Sequence, residues 1–167
     1  MPARHDNAQL SPCGRYRYVL TRELGGDRAL VSIGLNPSVA DATVNDPTIR
    51  RDIGFAKRWG LGRVIKLNAS AYIATDPRAM ARAAKAGIDV VGPDNDAIIR
   101  AIVRRETRRR GLVVVSWGAH ILAERQRHTA ALLAGVETWC LGVNRDGSPV
   151  HELYQPYVRK LMRWRCP

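Results

Sequence analysis

Metal-binding patterns of cysteine are missing from this sequence. Its three cysteines, Cys13, Cys140 and Cys166, are far apart in the chain, and none belongs to a CxxC pair. This spacing disfavours a zinc site or a cysteine-ligated iron–sulfur cluster. Isolated thiols in an odd number are typical of a reducing compartment. We therefore expect a protein that holds neither a metal nor a cofactor.

Long apolar segments are also missing. No run approaches the roughly 18 consecutive apolar residues of a membrane helix, and residues 1–6 lack the apolar core of a signal peptide. These features predict a cytoplasmic protein without a membrane partner. The 167 residues, 46% of them hydrophobic and 25% charged, suit a single globular domain with one core. We expect this domain to be a monomer.

Acidic residues are scarce relative to basic ones. The chain has 27 Lys and Arg against 15 Asp and Glu, which gives a formal net charge of +12. Such an excess favours an anionic partner, of which nucleic acid is the commonest. Arginines are concentrated over residues 94–110, where the pattern predicts a helix. Their row is either a solvated helix face or a surface for the phosphate backbone, and the sequence leaves both interpretations open.

The common catalytic motifs are absent as well. The sequence contains no GxxxxGK[ST] loop, no GxGxxG, no HExxH and no GxSxG. The first two absences argue against nucleoside triphosphatases and dinucleotide enzymes. The other two argue against zinc hydrolases and α/β-hydrolases. Candidate functional residues must therefore be found from the order of the secondary-structure elements.

Apolar runs that alternate with helical patterns predict an α/β fold. Four runs have the composition of central strands, over residues 30–34, 63–67, 112–116 and 137–143. Because strands alternate with helices, the four-stranded sheet should be mostly parallel, with helices on both faces. We predict a single-domain three-layer sandwich over residues 15–167, with an added N-terminal edge strand at 15–21 and a terminal helix through Met162. Residues 1–14 are predicted to be a flexible N-terminus.

Two of the predicted helices begin with the same dipeptide, Asp46-Pro47 and Asp76-Pro77. Aspartate is a favoured N-cap, because its carboxylate accepts hydrogen bonds from the first turn of the helix. Proline fits the first helical position, where its missing N–H has no partner to lose. Asp46 is therefore predicted to cap a helix, and this role competes with a catalytic one.

Polar or small residues follow the predicted strands. They are Asn36, Asn68, Trp117-Gly118 and residues 144–151. Because the carboxyl ends of parallel strands meet at one edge of a sheet, we expect these residues to line a single cleft. An amide both donates and accepts, as reading a base edge requires, but it can equally satisfy backbone groups of a turn. His120 and His151 titrate near neutral pH and are candidate acids, bases or electrophiles.

Four short motifs, in this order along the chain, resemble those of the uracil-DNA glycosylase superfamily. Residues 34–38, GLNPS, resemble the first motif, closest to the G-x-N-P-G form of the mismatch-specific branch. Residues 64–69, VIKLNA, resemble the strand whose terminal Asn reads a flipped uracil. Residues 113–120 resemble the third strand with its W-G turn. Residues 148–151 lie where the superfamily keeps its H-P-S-P loop.

The chain also resembles a widespread bacterial family of uncharacterised proteins. That family carries the pattern L-N-P-S-x-A-D-A-x-x-x-D-P-T-x-R-R, which begins here at Leu35, and a later W-G, found here at residues 117–118. The resemblance extends from Tyr16 to Tyr154 and so covers most of the predicted domain. It implies membership of that family and leaves the activity to be inferred from the site.

The superfamily resemblance implies a glycosylase-like activity on a flipped uracil or modified base in DNA, including single-stranded DNA. It implies that Asn36 positions the attacking water, with assistance from Asp41 or Asp46. Asn68 would bond the base edge, and His151 would approach the base oxygen that gains charge. The other residues implied for substrate binding are Gly34, Leu35, Pro37, Ser38, Trp117, Gly118, His120 and Ser148. The residues implied for the phosphate backbone are Arg50, Arg51 and Arg145.

Two other functions remain open at this point. The first is a protein of the same fold that binds nucleobases or nucleic acid without cleavage and serves modified-DNA metabolism. The second is a small-molecule enzyme or a structural protein, in which Asp46, Arg50 and Arg51 form an ion network. This second alternative predicts no salt-sensitive binding of nucleic acid. We rank the glycosylase hypothesis ahead of both.

Overall fold

The computed structural model describes residues 7–38 and 43–167. Seven strands lie within these ranges: β1 (Asn7–Leu10), β2 (Arg17–Glu23), β3 (Ala29–Gly34), β4 (Arg63–Asn68), β5 (Leu112–Val115), β6 (Thr138–Cys140) and β7 (Met162–Arg163). The helices are α1 (Pro47–Arg58), α2 (Pro77–Lys85), α3 (Asn95–Arg108) and α4 (Ala123–Leu132), and a single 3-10 turn covers Glu152–Tyr154. The predicted α/β class is confirmed.

The seven strands form one mixed sheet in the order β1-β2-β4-β3-β5-β6-β7. The four central strands, β4, β3, β5 and β6, run parallel to one another. The outer pairings, β1 with β2, β2 with β4 and β6 with β7, are antiparallel. The sheet is therefore larger than the predicted four strands with one edge strand, because two short strands extend it at its edges.

Both faces of the central sheet are covered, which explains the almost continuous apolar runs of its strands. Alternate residues of β3 point to opposite faces. Val31 and Ile33 pack in one cluster with apolar residues of α3 and α4. Leu30 belongs to a second cluster with Ala56 of α1. The helices thus form layers on either side of the sheet, and both faces are shielded from water.

Two of the predicted helix starts are confirmed. The carboxylate of Asp46 accepts a hydrogen bond from the backbone N–H of Ile49 at 2.8 Å. Asp76 accepts one from the N–H of Arg78 at 2.9 Å. Asp46 is therefore the N-cap of α1, as its sequence context predicts.

The two ends of the domain differ from the sequence prediction. Residues 7–10, within the segment predicted to be a flexible N-terminus, pair with β2 as an edge strand. The predicted terminal helix is wrong, because the chain makes one 3-10 turn and then returns to the sheet as β7. Pro156 opposes continuation of the helix. The return buries Trp164, whose ring packs edge-to-face on Trp117 at 5.1 Å between centroids.

Among the described residues, no helix has the length and apolar character needed to cross a membrane. The three cysteines are free thiols, and only Cys13 is exposed. No group of three or more His, Cys, Asp or Glu side chains in the described ranges could hold a metal ion.

Gly62 is a position where the fold requires the absence of a side chain. A Cβ at residue 62 would lie 2.4 Å from the Cα of Gly26 and 2.6 Å from the carbonyl oxygen of Gly25. Both atoms belong to the backbone, so they cannot move aside without displacing the loop before β3. We expect Gly62→Ala to lower the free energy of unfolding by about 3 kcal/mol, measured by urea denaturation.

Gly87→Ala is the matched control for Gly62→Ala. Gly87 has φ +78°, and a Cβ there meets no atom within 4 Å. Its replacement should therefore cost only the strain of the left-handed conformation, about 1–2 kcal/mol. Equal losses of stability in the two variants would show that the close approach of the two loops does not constrain the fold.

Candidate functional site

The carboxyl ends of the parallel strands open into a cavity of about 670 Å³. Ten of the residues selected from the sequence line this cavity: Gly34, Leu35, Asn36, Ser38, Asp46, Asn68, Trp117, Gly118, His120 and His151. They come from the ends of β3, β4 and β5, from the start of α1 and from the loop before the 3-10 turn. The strand ends therefore converge on one cleft, as their order in the chain predicts.

Other selected residues do not line the cavity. The hydroxyl of Ser148 donates to Asp146 at 2.6 Å within a turn, and Pro37 is buried beside Asn36. Arg145 is exposed on the same turn as Ser148. Asp41 lies outside the described residues. The structure thus assigns Ser148 to a turn and leaves Arg145 on the surface.

The two arginines of the first turn of α1 have local partners. Arg50 donates to the carbonyl oxygen of Asn45 at 2.5 Å. The guanidinium of Arg51 lies over the ring of Tyr157, 4.5 Å from its centroid. In the described part of the chain, no ion pair joins Asp46 to either arginine, so the ion network of the structural alternative is not formed.

Asn36 uses its amide to hold the loop in which it lies. Its Nδ2 donates to the carbonyl oxygens of Ala74, at 2.8 Å, and Pro37, at 3.1 Å. The donor side of the amide therefore satisfies backbone groups, as the Asn-Pro dipeptide alone would suggest. Oδ1 of Asn36 can accept a hydrogen bond from a ligand or a water in the cavity.

Asn68, the last residue of β4, has an unusual side chain. It is only 2% exposed, and its Nδ2 is buried without a hydrogen-bond partner among the described residues. A buried donor without a partner costs about 1–3 kcal/mol. A Cβ on Gly34 of the adjacent strand would lie 3.0 Å from Oδ1 of Asn68, so glycine leaves room for this amide. Asn68 therefore lines the cavity with a side-chain donor that no described residue satisfies.

Groups behind Asn68 fix its backbone. The Nδ2 of Asn95, at the start of α3, donates to the carbonyl oxygen of Asn68 at 3.0 Å. Arg125 of α4 donates through Nε to the carbonyl oxygen of Ala69 at 2.7 Å and pairs with Asp96 at 2.5 Å. The two helices on one face of the sheet therefore hold the end of β4 in place.

His151 lines the cavity as a neutral imidazole. Its Nδ1 accepts a hydrogen bond from the backbone N–H of Leu153 at 3.1 Å and so caps the 3-10 turn. Burial lowers the pKa of His151 below its ordinary value. With Nδ1 accepting, the proton of the neutral ring lies on Nε2. In this arrangement His151 is a hydrogen-bond donor at Nε2.

A buried ionic cluster, Asp52, Lys66 and Glu152, adjoins the cavity and was not selected from the sequence. The ammonium of Lys66 lies 3.0 Å from Oδ2 of Asp52 and also contacts Oε1 of Glu152. It donates to the hydroxyl of Ser32 at 2.9 Å, and Ser32 donates to Oδ1 of Asp52 at 3.0 Å. Lys66 itself lines the cavity.

The three charged groups of this cluster change one another's pKa. Burial alone would lower the pKa of Lys66, but its two carboxylate partners raise it, so the side chain remains an ammonium and is no amine nucleophile. Burial raises the pKa of Asp52 to about 7 despite Lys66, and the negative charge of Glu152 adds to the increase. For Glu152 the attraction of Lys66 outweighs burial and lowers the pKa.

The sequence does contain a signal for the cluster. Ser32 and Lys66 occupy paired positions in β3 and β4, within otherwise apolar strands. A lysine in a strand that is covered on both faces requires a buried anion. Asp52 lies one turn after Ile49 on the buried side of α1, and Glu152 follows His151 directly. The strand pattern could therefore have identified Lys66, although not its partners.

Two other residues that line the cavity, Arg17 and Tyr154, belong to none of the four sequence motifs. Arg17 of β2 is buried and lines it. Tyr154 also lines it but is 80% exposed, with its ring centroid 5.9 Å from that of His151. An exposed aromatic ring at the rim of a cavity is a surface on which a flat ligand can stack.

The family described as "Protein of unknown function (DUF1643)" matches residues 17–153. The chain belongs to this family. The match covers the four parallel strands and the residues that line the cavity, except Tyr154 and Gln155. The predicted membership of an uncharacterised family is confirmed. No curated protein and no solved structure gives a significant match. The cavity itself is therefore the guide to function.

Asp52→Asn tests the charge state of the cluster. The pKa of Asp52 in the folded protein, about 7, exceeds its ordinary value of 3.8. The stability that Asp52 contributes is therefore present at low pH and lost as the pH rises from about 4 to 7. Because asparagine cannot ionise, the variant should gain stability relative to the wild type between pH 5 and pH 8, by a few kcal/mol in order of magnitude.

Urea denaturation of both proteins at pH 5 and pH 8 measures this difference. Asp146→Asn is the control, because hydrogen bonds from the hydroxyl and the backbone N–H of Ser148 hold the pKa of Asp146 below its ordinary value. Asp146 is therefore ionised at both pH values, and its replacement should have the same effect at each. A stability difference between wild type and Asp52→Asn that does not change with pH contradicts the raised pKa.

Proposed function

We propose that the protein binds a uracil or modified base flipped out of DNA and hydrolyses its N-glycosidic bond, as enzymes of the uracil-DNA glycosylase superfamily do. The observation that carries the proposal is the buried, unpartnered amide of Asn68, which lines one cavity with Asn36 and neutral His151. A cleft that offers directed donors and a closed wall can hold a base outside its duplex.

The size and walls of the cavity support a nucleobase as ligand. Its volume of about 670 Å³ lies within the range of small-molecule sites. Trp117 forms a rigid wall, because its indole donates to Gln126 at 2.8 Å and packs on Trp164. Nδ2 of Asn68 would donate to an acceptor on the base edge, and Tyr154 at the rim would stack on a base.

His151 and Asn36 would act on the two sides of the glycosidic bond. The oxygen of a water bonds to the sugar C1′ as the bond from C1′ to the base nitrogen breaks, and the base leaves with the electron pair. One proton of the water ends on the base nitrogen, and the other remains on the sugar hydroxyl. Nε2–H of His151 would stabilise the charge that develops on the base, while Oδ1 of Asn36 orients the water.

A second candidate function is binding of a nucleobase or nucleic acid without cleavage. Two observations favour it over an efficient hydrolase. The amide of Asn36 cannot take a proton from water, and its Nδ2 is used by backbone carbonyls. The Asp46 carboxylate caps α1, which occupies one of its oxygens. If no group removes the proton, the same cavity would bind a flipped base and leave it attached.

The proposed activity is tested by release of free base from single- and double-stranded oligonucleotides that carry uracil or one of a panel of modified bases. We expect release by the wild type, reduced at least about 100-fold by Asn68→Ala and by His151→Ala, because each removes a donor that acts on the base. His128→Ala, which removes an exposed imidazole of α4 outside the cavity, should retain full activity.

The outcomes of this screen separate the two candidate functions. Base release that needs Asn68 and His151 supports the glycosylase. Tight binding of an oligonucleotide without release, weakened by Asn68→Ala, supports the binding protein. Folded protein that neither binds nor cleaves any member of the panel contradicts both.

Salt dependence tests the DNA partner independently of cleavage. With a net charge of +12, the protein should bind oligonucleotides through released counterions, so the logarithm of the affinity should fall linearly with the logarithm of the salt concentration. Fluorescence anisotropy at several salt concentrations measures the slope. A slope near zero would favour the small-molecule enzyme or structural protein.

A further inference from the structure

The buried cluster reaches the cavity through Glu152. Oε1 of Glu152 contacts the ammonium of Lys66, and its other oxygen, Oε2, lies 3.3 Å from Nδ1 of His151. Lys66 in turn lies 3.0 Å from Asp52 on α1. Asp52, Lys66 and Glu152 are each almost completely buried. A continuous series of short contacts thus joins a carboxyl group on α1 to an imidazole in the cavity.

Two groups compete for Nδ1 of His151. The backbone N–H of Leu153, at 3.1 Å, needs a lone pair on Nδ1. Oε2 of Glu152, at 3.3 Å, needs a proton there, and this oxygen has no other hydrogen-bond partner among the described residues. One nitrogen of a neutral ring cannot satisfy both. The position of the proton also decides whether Nε2 donates to the cavity or accepts from it.

We propose that Asp52, Lys66 and Glu152 form a buried relay that sets which nitrogen of His151 carries the proton. The three relay residues are positioning residues. Among them Glu152 contacts His151, and all three would act on the reaction only through this histidine. The tautomer of His151 does not depend on the proposed function. The catalytic effect of the tautomer does depend on the proposed function. With the proton on Nε2, His151 stabilises the leaving base. With the proton on Nδ1, Nε2 can accept a proton from water.

The direction of the effect follows from the charges. When Asp52 is protonated, Glu152 alone balances Lys66, and Nδ1 of His151 accepts from Leu153. When Asp52 is ionised, the relay carries one net negative charge, and Glu152 shares Lys66 with it. The free oxygen of Glu152 then attracts a proton to Nδ1. Because the pKa of Asp52 is about 7, this change should occur near neutral pH.

Two other charged groups near His151, Asp46 and Arg17, differ from Glu152, whose carboxylate lies against Nδ1 of the imidazole. Asp46 at the start of α1 acts on the imidazole through its charge, but its carboxylate is bonded to the N–H of Ile49. Arg17 of β2 lines the same cavity. A purely structural role for the cluster, holding α1 and the 3-10 turn to the sheet, would leave the proton of His151 unaffected by Asp52.

The test is the tautomer of His151 in the full-length protein, followed through the 15N shifts of Nδ1 and Nε2 between pH 5.5 and 8.5. In the wild type, the fraction with the proton on Nδ1 should rise through about pH 7. In Asp52→Asn and Glu152→Gln it should remain at least about threefold lower at pH 8, because the added negative charge is lost. Asp96→Asn, which acts on His128, should leave the signals of His151 unchanged.

Ser32→Ala keeps the test decisive if either relay variant does not fold. The hydroxyl of Ser32 donates to Oδ1 of Asp52 and favours its ionised form. Its removal should move the His151 transition upward by about half a pH unit or more. The proposal is overturned if the pH dependence of His151 is the same in the wild type and in every folded variant, whether or not the protein releases a base.

Discussion

Lys66 places a charged ammonium group inside the sheet, where an unpaired charge would be too costly for the folded state to bear. Other elements must therefore supply polar partners for the ammonium group. Ser32 lies on the neighbouring strand, Asp52 on α1, and Glu152 on the turn that follows the last parallel strand. Four elements are tied together by this requirement, and the residue that precedes Glu152, His151, is brought to the cavity by the same contact.

The opposite face of the sheet supplies the second part of the site. Asn95 and Arg125 bond the backbone carbonyls at the end of β4 and hold Asn68 with its amide donor unpaired. The cavity thus lies between an ionic cluster on the α1 side and a rigid network on the α3 and α4 side. Both networks are formed within the chain, so they fix the side chains at the cavity without a ligand, as the proposed binding of a base requires.

The sequence predicts the convergence of the strand ends on one cavity better than it predicts the ends of the fold. Strand order alone places Asn36, Asn68 and His151 at one edge, because parallel strands end on the same side. The predicted terminal helix fails because burial of Trp164 outweighs the local helical pattern, and β7, two residues long, has no pattern of its own. Lys66 and Glu152 are 86 residues apart, so no local spacing could reveal their contact.

The proposed function depends most on Asn68 as the donor that meets a base. The direct measurement is the change in the 15N and proton chemical shifts of the Asn68 side-chain NH₂ as oligonucleotides are added. Each oligonucleotide has one target nucleotide, which carries a fluorinated, hydrolysis-resistant sugar and one of a panel of bases. An oligonucleotide with an abasic site at that position is the reference. We expect the Asn68 NH₂ signals to shift with at least one base and not with the abasic strand. Signals that remain unchanged at saturation with every base, or that shift equally with the abasic strand, would contradict it.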